Sequence, residues 1–204
     1  MKLQNRKLLI ATRNEGKFFE ISKFLSDLPI KILSLKDLGI KIDFEEAELT
    51  YEKNSQKKAL FFSKLTKLPT IADDGGIEIE ALGGKPGIHS RRWFGKSKSD
   101  KQIINKMKKI AKKLPKGKRK AYFKTVVSLA FPSGKVISAK GEVEGEIREP
   151  YLTYLKGYPY RSFFYLPKIK KFYHESELTQ KEERMYNHRY KAIQKLKPVI
   201  LKYA

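Results

Sequence analysis

The stretch "ADDGG" at residues 72–76 places two acids, Asp73 and Asp74, after a short apolar run and ahead of two glycines. Carboxylates at a strand end can hold Mg2+, a hard cation that binds through a few acids and phosphate oxygens and keeps several waters. An acid left over can take a proton from an attacking water. The same two residues would also suit a turn in which aspartates bond their own backbone. "FEEAE" at 44–48 adds Glu45, Glu46 and Glu48, a local run of acids in a basic chain that could serve a metal or cap a helix. "ATRNEGK" at 11–17 offers the Thr12 hydroxyl, the Asn14 amide, backbone N–H groups near Gly16 and the Lys17 ammonium. With the partial positive charge of a helix N-terminus these suit a triphosphate, and an ordinary capped turn would use the same residues. His188 and Arg189 open the last helical stretch. The planar fork of Arg189 can grip a phosphate or a base edge, and His188 can donate to a base oxygen; a helix-end cation and a core imidazole are the plainer uses. His89 and His174 fall in loops and suggest no metal cluster.

These groups need elements to hold them. Residues 6–11 read as a buried strand, and apolar residues at 18, 21, 25 and 28 give helical spacing over 17–28, with Pro29 just beyond. "IKILSL" alternates as a strand does. "LTYEKNSQKKALFFSKLT" reads as a helix with Thr50 as N-cap and Leu60, Phe61 and Leu65 toward the core. "TIADDGGIEIEALGGKPGI" reads as strand, loop, strand, loop, broken at its glycines. A basic helix follows in "SDKQIINKMKKIAKKL", with Ile103, Ile104, Met107 and Ile110 on one face and its lysines in water. "AYFKTVVSLAF", "PSGK" and "VISAKGEVEGEI" form a hairpin. The aromatic stretch 151–165 enters a strand ended by Pro167, and residues 186–204 read as one closing helix. Strands alternating with helices, plus one long hairpin, give an α/β chain on a mixed sheet, one domain over 1–204 without a flexible linker.

The whole chain sets bounds. Its 204 residues suffice for one sizeable core, and 40% hydrophobic residues exclude a disordered chain. It has no cysteine, so disulfides and thiolate zinc sites are excluded, and a cytoplasmic address is expected. No signal-peptide pattern and no apolar run of roughly 20 residues occur, so no membrane partner is expected. A net charge of +23 invites polyanions, although lysine spread along the whole chain is also what a general compositional bias produces.

Taken in order, "ATRNEGK", "EEAELTYEKNSQKKA", "IADDGGIEIEALGGKPGIHSRRW", "GEVEGEI" and "NHRYKAIQKL" resemble the inosine triphosphate pyrophosphatase family, over nearly the whole chain. The resemblance implies a two-lobed α/β fold on a long central mixed sheet around a nucleotide-binding cleft, and a homodimer. It implies Mg2+-dependent hydrolysis, with Mn2+ as a substitute, of non-standard purine triphosphates between the α- and β-phosphates. By position, Thr12, Asn14, Lys17 and Lys58 would hold phosphates, and Glu45 or Glu46 would join Asp74 at the metal. Asp74 would accept the water's proton, and Tyr158, His188 and Arg189 would meet the base.

Departures from the family pattern gather on the base side. "GYPYRS" at 157–162 puts Pro159 for a glycine, Arg161 for an aspartate and Ser162 for a proline. Glu183 stands at a base-contacting lysine, with Arg184 next to it, and Asn187 replaces a serine beside His188. Gly75 replaces the serine after the paired aspartates, and His89 and Arg91 replace a tyrosine and an alanine. Arg161 and Glu183 are therefore expected to line a changed base pocket as a charge-reversed pair, against the alternative of an outward Arg161 with no role there. A non-catalytic nucleotide- or nucleic-acid-binding protein is the competing reading, motivated by the charge and the aromatic stretch.

Overall fold

The computed structural model describes residues 6–95, 99–150 and 154–203; positions 151–153, the start of the aromatic stretch, lie outside the described residues. Seven strands form one mixed sheet in the order β2-β1-β3-β4-β5-β6-β7. The strands are β1 (Lys7–Ile10), β2 (Lys31–Ser34), β3 (Thr70–Ile79), β4 (Lys120–Ala130), β5 (Val136–Ile147), β6 (Phe164–Leu166) and β7 (Lys171–Phe172). The helices are α1 (Glu15–Leu25), α2 (Tyr51–Thr66), α3 (Asp100–Lys113), α4 (Gln180–Tyr186) and α5 (His188–Tyr203). β1 runs parallel to β2 and β3, and β5, β6 and β7 pair antiparallel in turn, so the expected mixed sheet is present. No helix among the described residues is long and apolar enough to cross a membrane.

The chain divides into two compact units. The first comprises Met1–Asp74, Thr125–Gly141 and Arg189–Ala204, and the second comprises Gly75–Lys124 and Glu142–His188. In the first unit, strand alternation sorts side chains to two faces. Leu8, Ile10 and Ile71 join α1 and α5 residues such as Ile21, Phe24, Ile193 and Leu196 in one apolar cluster. Leu9, Ala11 and Ala72 join Ala59 and Phe62 of α2 in another. The second unit has its own core, in which Ile103, Ile104 and Met107 of α3 pack with Phe123, Phe163, Phe164 and Tyr173.

Four expectations are corrected. "ADDGG" is not a strand end: β3 runs unbroken through both glycines, and Asp73 and Asp74 sit in its middle. α2 does not turn Phe61 and Leu65 to the core, since these are 39% and 48% exposed. Its buried face holds Asn54, Ser55, Lys58, Ala59, Phe62 and Ser63, and its polar members are bonded from inside the fold. The closing helix begins at His188 rather than at residue 186, because Asn187 is extended (φ −79°, ψ 115°), and the short helix α4 that precedes it was not expected. The first helix starts at Glu15 and ends at Leu25 rather than spanning 17–28, because the Asn14 side chain caps it. The hairpin matches its expectation: Phe131 N–H donates to Lys135 O and Gly134 N–H to Phe131 O, with Gly134 at φ +95° as the tight turn requires.

Candidate active site

The middle of β3 places its two acids on opposite faces. Asp73 follows the parity of Ile71, toward α1 and α5; Asp74 follows Ala72, toward α2. Asp73 is fully buried, and its Oδ2 lies 3.1 Å from Lys17 Nζ and accepts from Arg189 Nε at 3.0 Å. Arg189 in turn donates to the Glu20 carboxylate, and both residues are buried. Glu20, Arg189, Asp73 and Lys17 thus form a chain of alternating charge that ties α1, β3 and the start of α5 together. Burial by itself would raise the Asp73 carboxyl, but Lys17, Arg189 and Lys58 outweigh it and hold it well below the ordinary aspartate range.

Asp74 has the opposite setting. Asn54 Nδ2 donates to its Oδ2 at 2.9 Å, and Thr125 Oγ1 donates to its backbone carbonyl at 3.0 Å. Burial and then the Glu46 charge push its carboxyl up to about 6, although Lys17, the Asn54 bond and Lys58 act against that. Lys58, on the buried face of α2, donates to Glu46 and to the backbone oxygen of Asp73. Burial works to lower the Lys58 ammonium, and Glu46, Asp73 and Asp74 more than reverse that. Asn54 Oδ1 also accepts from the Glu48 N–H at 2.9 Å, so one amide fixes both the acidic loop and Asp74.

Of the two alternative metal acids, Glu46 is half-buried in this cluster, and Glu45 is exposed. No group of three or more Asp, Glu or His among the described residues could hold a metal ion by itself. The donor set still fits a hard divalent cation. Two carboxylates, Glu46 and Asp74, lie near enough that one raises the other, and Mg2+ uses one or two protein carboxylates plus substrate phosphates.

In the loop before α1, Asn14 Oδ1 accepts from Lys17 N–H at 3.1 Å and Thr12 Oγ1 accepts from Asn14 N–H at 3.2 Å. The capped turn is therefore real, and it is also what aims the Lys17 side chain at Asp73. Thr12, Asn14, Lys17, Glu46, Lys58, Asp74 and Arg189 all belong to the first unit.

Of the expected base residues, Tyr158, Arg161, Glu183 and His188 belong to the second unit and Arg189 belongs to the first. Arg161 is 8% exposed, so it does not point outward; its guanidinium lies 4.0 Å from the Tyr158 ring centre and 4.6 Å from that of Tyr173. The Tyr173 hydroxyl and His188 Nδ1 are 3.2 Å apart, and the His188 ring stacks on Phe123 at 5.2 Å and 17°. Glu183 is half-buried on α4. Arg189, one residue beyond His188, is committed to Asp73 and Glu20 in the first unit.

A sequence profile of the Ham1 family matches residues 8–199. The chain belongs to the Ham1 family. Its similarity to other Ham1 sequences is spread over the whole length. It is 37% identical to the dITP/XTP pyrophosphatase of Thermoanaerobacter pseudethanolicus over 196 residues, which cover 96% of this chain and 97% of that protein. It is 35% identical to the dITP/XTP pyrophosphatase of Thermus thermophilus over 194 residues, covering 95% and 91%. The Ham1 protein of Staphylococcus aureus superposes with a TM-score of 0.79 at 30% identity, covering 98% of this chain and all of that one. A HAM1 protein from Coxiella burnetii gives 0.80 at 31%, covering 97% and 99%. Within this Ham1 chain, Asn54, Glu20 and Tyr173 are the residues that sequence reasoning passed over. Asn54 and Glu20 lie in helices whose buried faces show in sequence only through apolar spacing, and a polar residue buried by its partner leaves no such signal.

Proposed function

We propose that this protein is a nucleoside triphosphate pyrophosphatase that removes non-standard purine nucleotides, splitting NTP and water into NMP and diphosphate. Full-length similarity to relatives named for dITP and XTP supports the substrate class. The observation that carries the chemistry is the placing of Asp74: a buried carboxyl held by Asn54, in the cluster of Glu46 and the cation Lys58 that would attract a polyphosphate, surroundings that push it up to about 6. A general base works best with a pKa near the operating pH.

In this reading, Lys17 and Lys58, with Thr12 and Asn14 of the capped loop, bind and orient the phosphates. Asp74 accepts a proton from water as its oxygen bonds to the α-phosphorus and the bond to the bridging oxygen breaks, with diphosphate leaving in line. Glu46 and Asp74 would hold Mg2+, or Mn2+ in its place; when bound, the cation draws charge from the phosphate oxygens. Tyr158, Arg161, Glu183 and His188 line the base half, and the burial of Arg161 between two tyrosines supports its place there. A homodimer and a cytoplasmic setting belong to the same proposal, on the strength of the family resemblance.

The test is product analysis by anion-exchange chromatography with ITP, dITP, XTP, GTP and ATP in Mg2+. The expected result is NMP and diphosphate in equal amounts, fastest with ITP, dITP or XTP, and a drop of about 10²–10⁴-fold in Asp74→Asn. No turnover of any triphosphate by the wild-type protein would overturn the proposal.

A further inference from the structure

Glu20 lies outside every motif considered above, yet it is a buried carboxylate, 4% exposed, on the third position after Lys17 along α1. A buried acid of this kind is retained only with a partner, and its partner is Arg189, itself 4% exposed. Arg189 divides its guanidinium: one terminal nitrogen goes to Glu20, and Nε goes to Asp73 Oδ2. That same Asp73 oxygen is 3.1 Å from Lys17 Nζ. Lys17 is the member of the chain closest to solvent, with a side chain 20% exposed, and so the one that a phosphate can reach.

We propose that Glu20 is a positioning residue for the phosphate-binding lysine Lys17, acting through Arg189 and Asp73. Two cations compete for one oxygen of Asp73. Glu20 takes up part of the Arg189 charge, which leaves Asp73 able to hold Lys17 in place. With Glu20 neutralised, the buried group carries two cations against one anion. Arg189, deeper and with fork geometry, keeps Asp73, and Lys17, the exposed member, is released. Polyphosphate then meets a lysine without a fixed position and pays the cost of ordering it. The inference rests on the role given to Lys17 above.

A double-mutant cycle tests it, with Lys17→Met, Glu20→Gln and the pair together. The readouts are KM and kcat for ITP, and competitive inhibition by inorganic diphosphate, which has no base and so reports on the phosphate half alone. Glu20→Gln is expected to raise KM and the diphosphate inhibition constant about tenfold, with kcat changed less. The double variant is expected to be no worse than Lys17→Met. Glu20→Asp, which keeps the charge on a shorter stem, should recover most of the loss and keeps the test open if Glu20→Gln does not fold. Full additivity, or a Glu20→Asp defect as large as that of Lys17→Met in a folded protein, would overturn the positioning role. Wild-type behaviour of Lys17→Met would instead overturn the phosphate role of Lys17, and this inference with it, whereas the Asp74→Asn experiment would be unaffected.

Discussion

Two adjacent aspartates with opposite perturbations show how much one step along a strand can do. Asp73 faces Lys17 and Arg189 and is held ionised; Asp74 faces Asn54 and Glu46 and is pushed up to about 6. The sign for stability follows from linkage. The folded-state value of Asp74 lies above its ordinary 3.8, so its favourable contribution is complete below about pH 4 and is lost as pH rises toward 6. At pH 7.5 the ionised Asp74 is a cost with an upper bound of about 3 kcal/mol, from roughly two pH units at 1.36 kcal/mol each. Asp74→Asn keeps an oxygen for Asn54 and removes that cost. Thermal unfolding in EDTA should therefore show the inactive variant melting above the wild type at pH 7.5, with the gap narrowing as pH falls through 6 and closing below about pH 4. A variant less stable than the wild type at pH 7.5 contradicts the assignment. The same titration predicts that pyrophosphatase activity falls as pH drops through about 6, when the proton acceptor becomes occupied. In sequence, the two acids were legible as chemistry, but their opposite facing was not, because the glycines after them read as a break.

Glycine weakens strands, so "ADDGG" invites a loop reading, yet β3 runs through its glycines, as the expected strand β5 does through Gly141 and Gly145. At Gly145 the reason is close approach. An added Cβ would lie 2.5 Å from the Tyr165 carbonyl oxygen and from Cε1 of the Phe164 ring, both on β6. Backbone cannot yield as a flexible side chain can, so Gly145→Ala should cost about 1–3 kcal/mol and lower the melting temperature by several degrees. An unchanged melting temperature would mean that β6 moves aside freely. The α2 helix was legible in extent and N-cap, since Thr50 Oγ1 accepts from Lys53 N–H at 3.2 Å. Its orientation was not legible, because Asn54 and Lys58 are buried by their bonds to Asp74, Glu46 and the Asp73 backbone rather than by hydrophobicity. Apolar periodicity cannot report a face chosen by polar partners. Phe61, left outside, packs instead on Phe44 and Phe62.

At the scale of the molecule, the family and the mixed sheet were legible because motif order survives where individual residues have changed, and the charge was legible from composition alone. What composition leaves open is whether ion pairing or self-repulsion dominates that charge. The chain has 45 lysines and arginines against 22 acids, so even complete pairing leaves 23 cations in excess. Several pairs are exposed, such as Lys140–Glu52 and Lys57–Glu48, and pairs of this kind contribute little even at low salt. The chain Glu20–Arg189–Asp73–Lys17 is largely buried and resists screening. Raising salt from low concentration to about 0.5 M shortens the screening length from tens of ångströms to a few. That weakens the exposed pairs modestly, but it also relieves repulsion among every unpaired cation within reach, which opposes the compact state. Repulsion is the larger sum at a net charge of +23, so the melting temperature at pH 7.5 should rise between about 20 mM and 500 mM NaCl. Unfolding scans across that range, with KCl as a second salt to separate screening from specific ion binding, measure it directly. A melting temperature that falls with both salts would show that exposed ion pairs, rather than the excess cations, govern the stability of this surface.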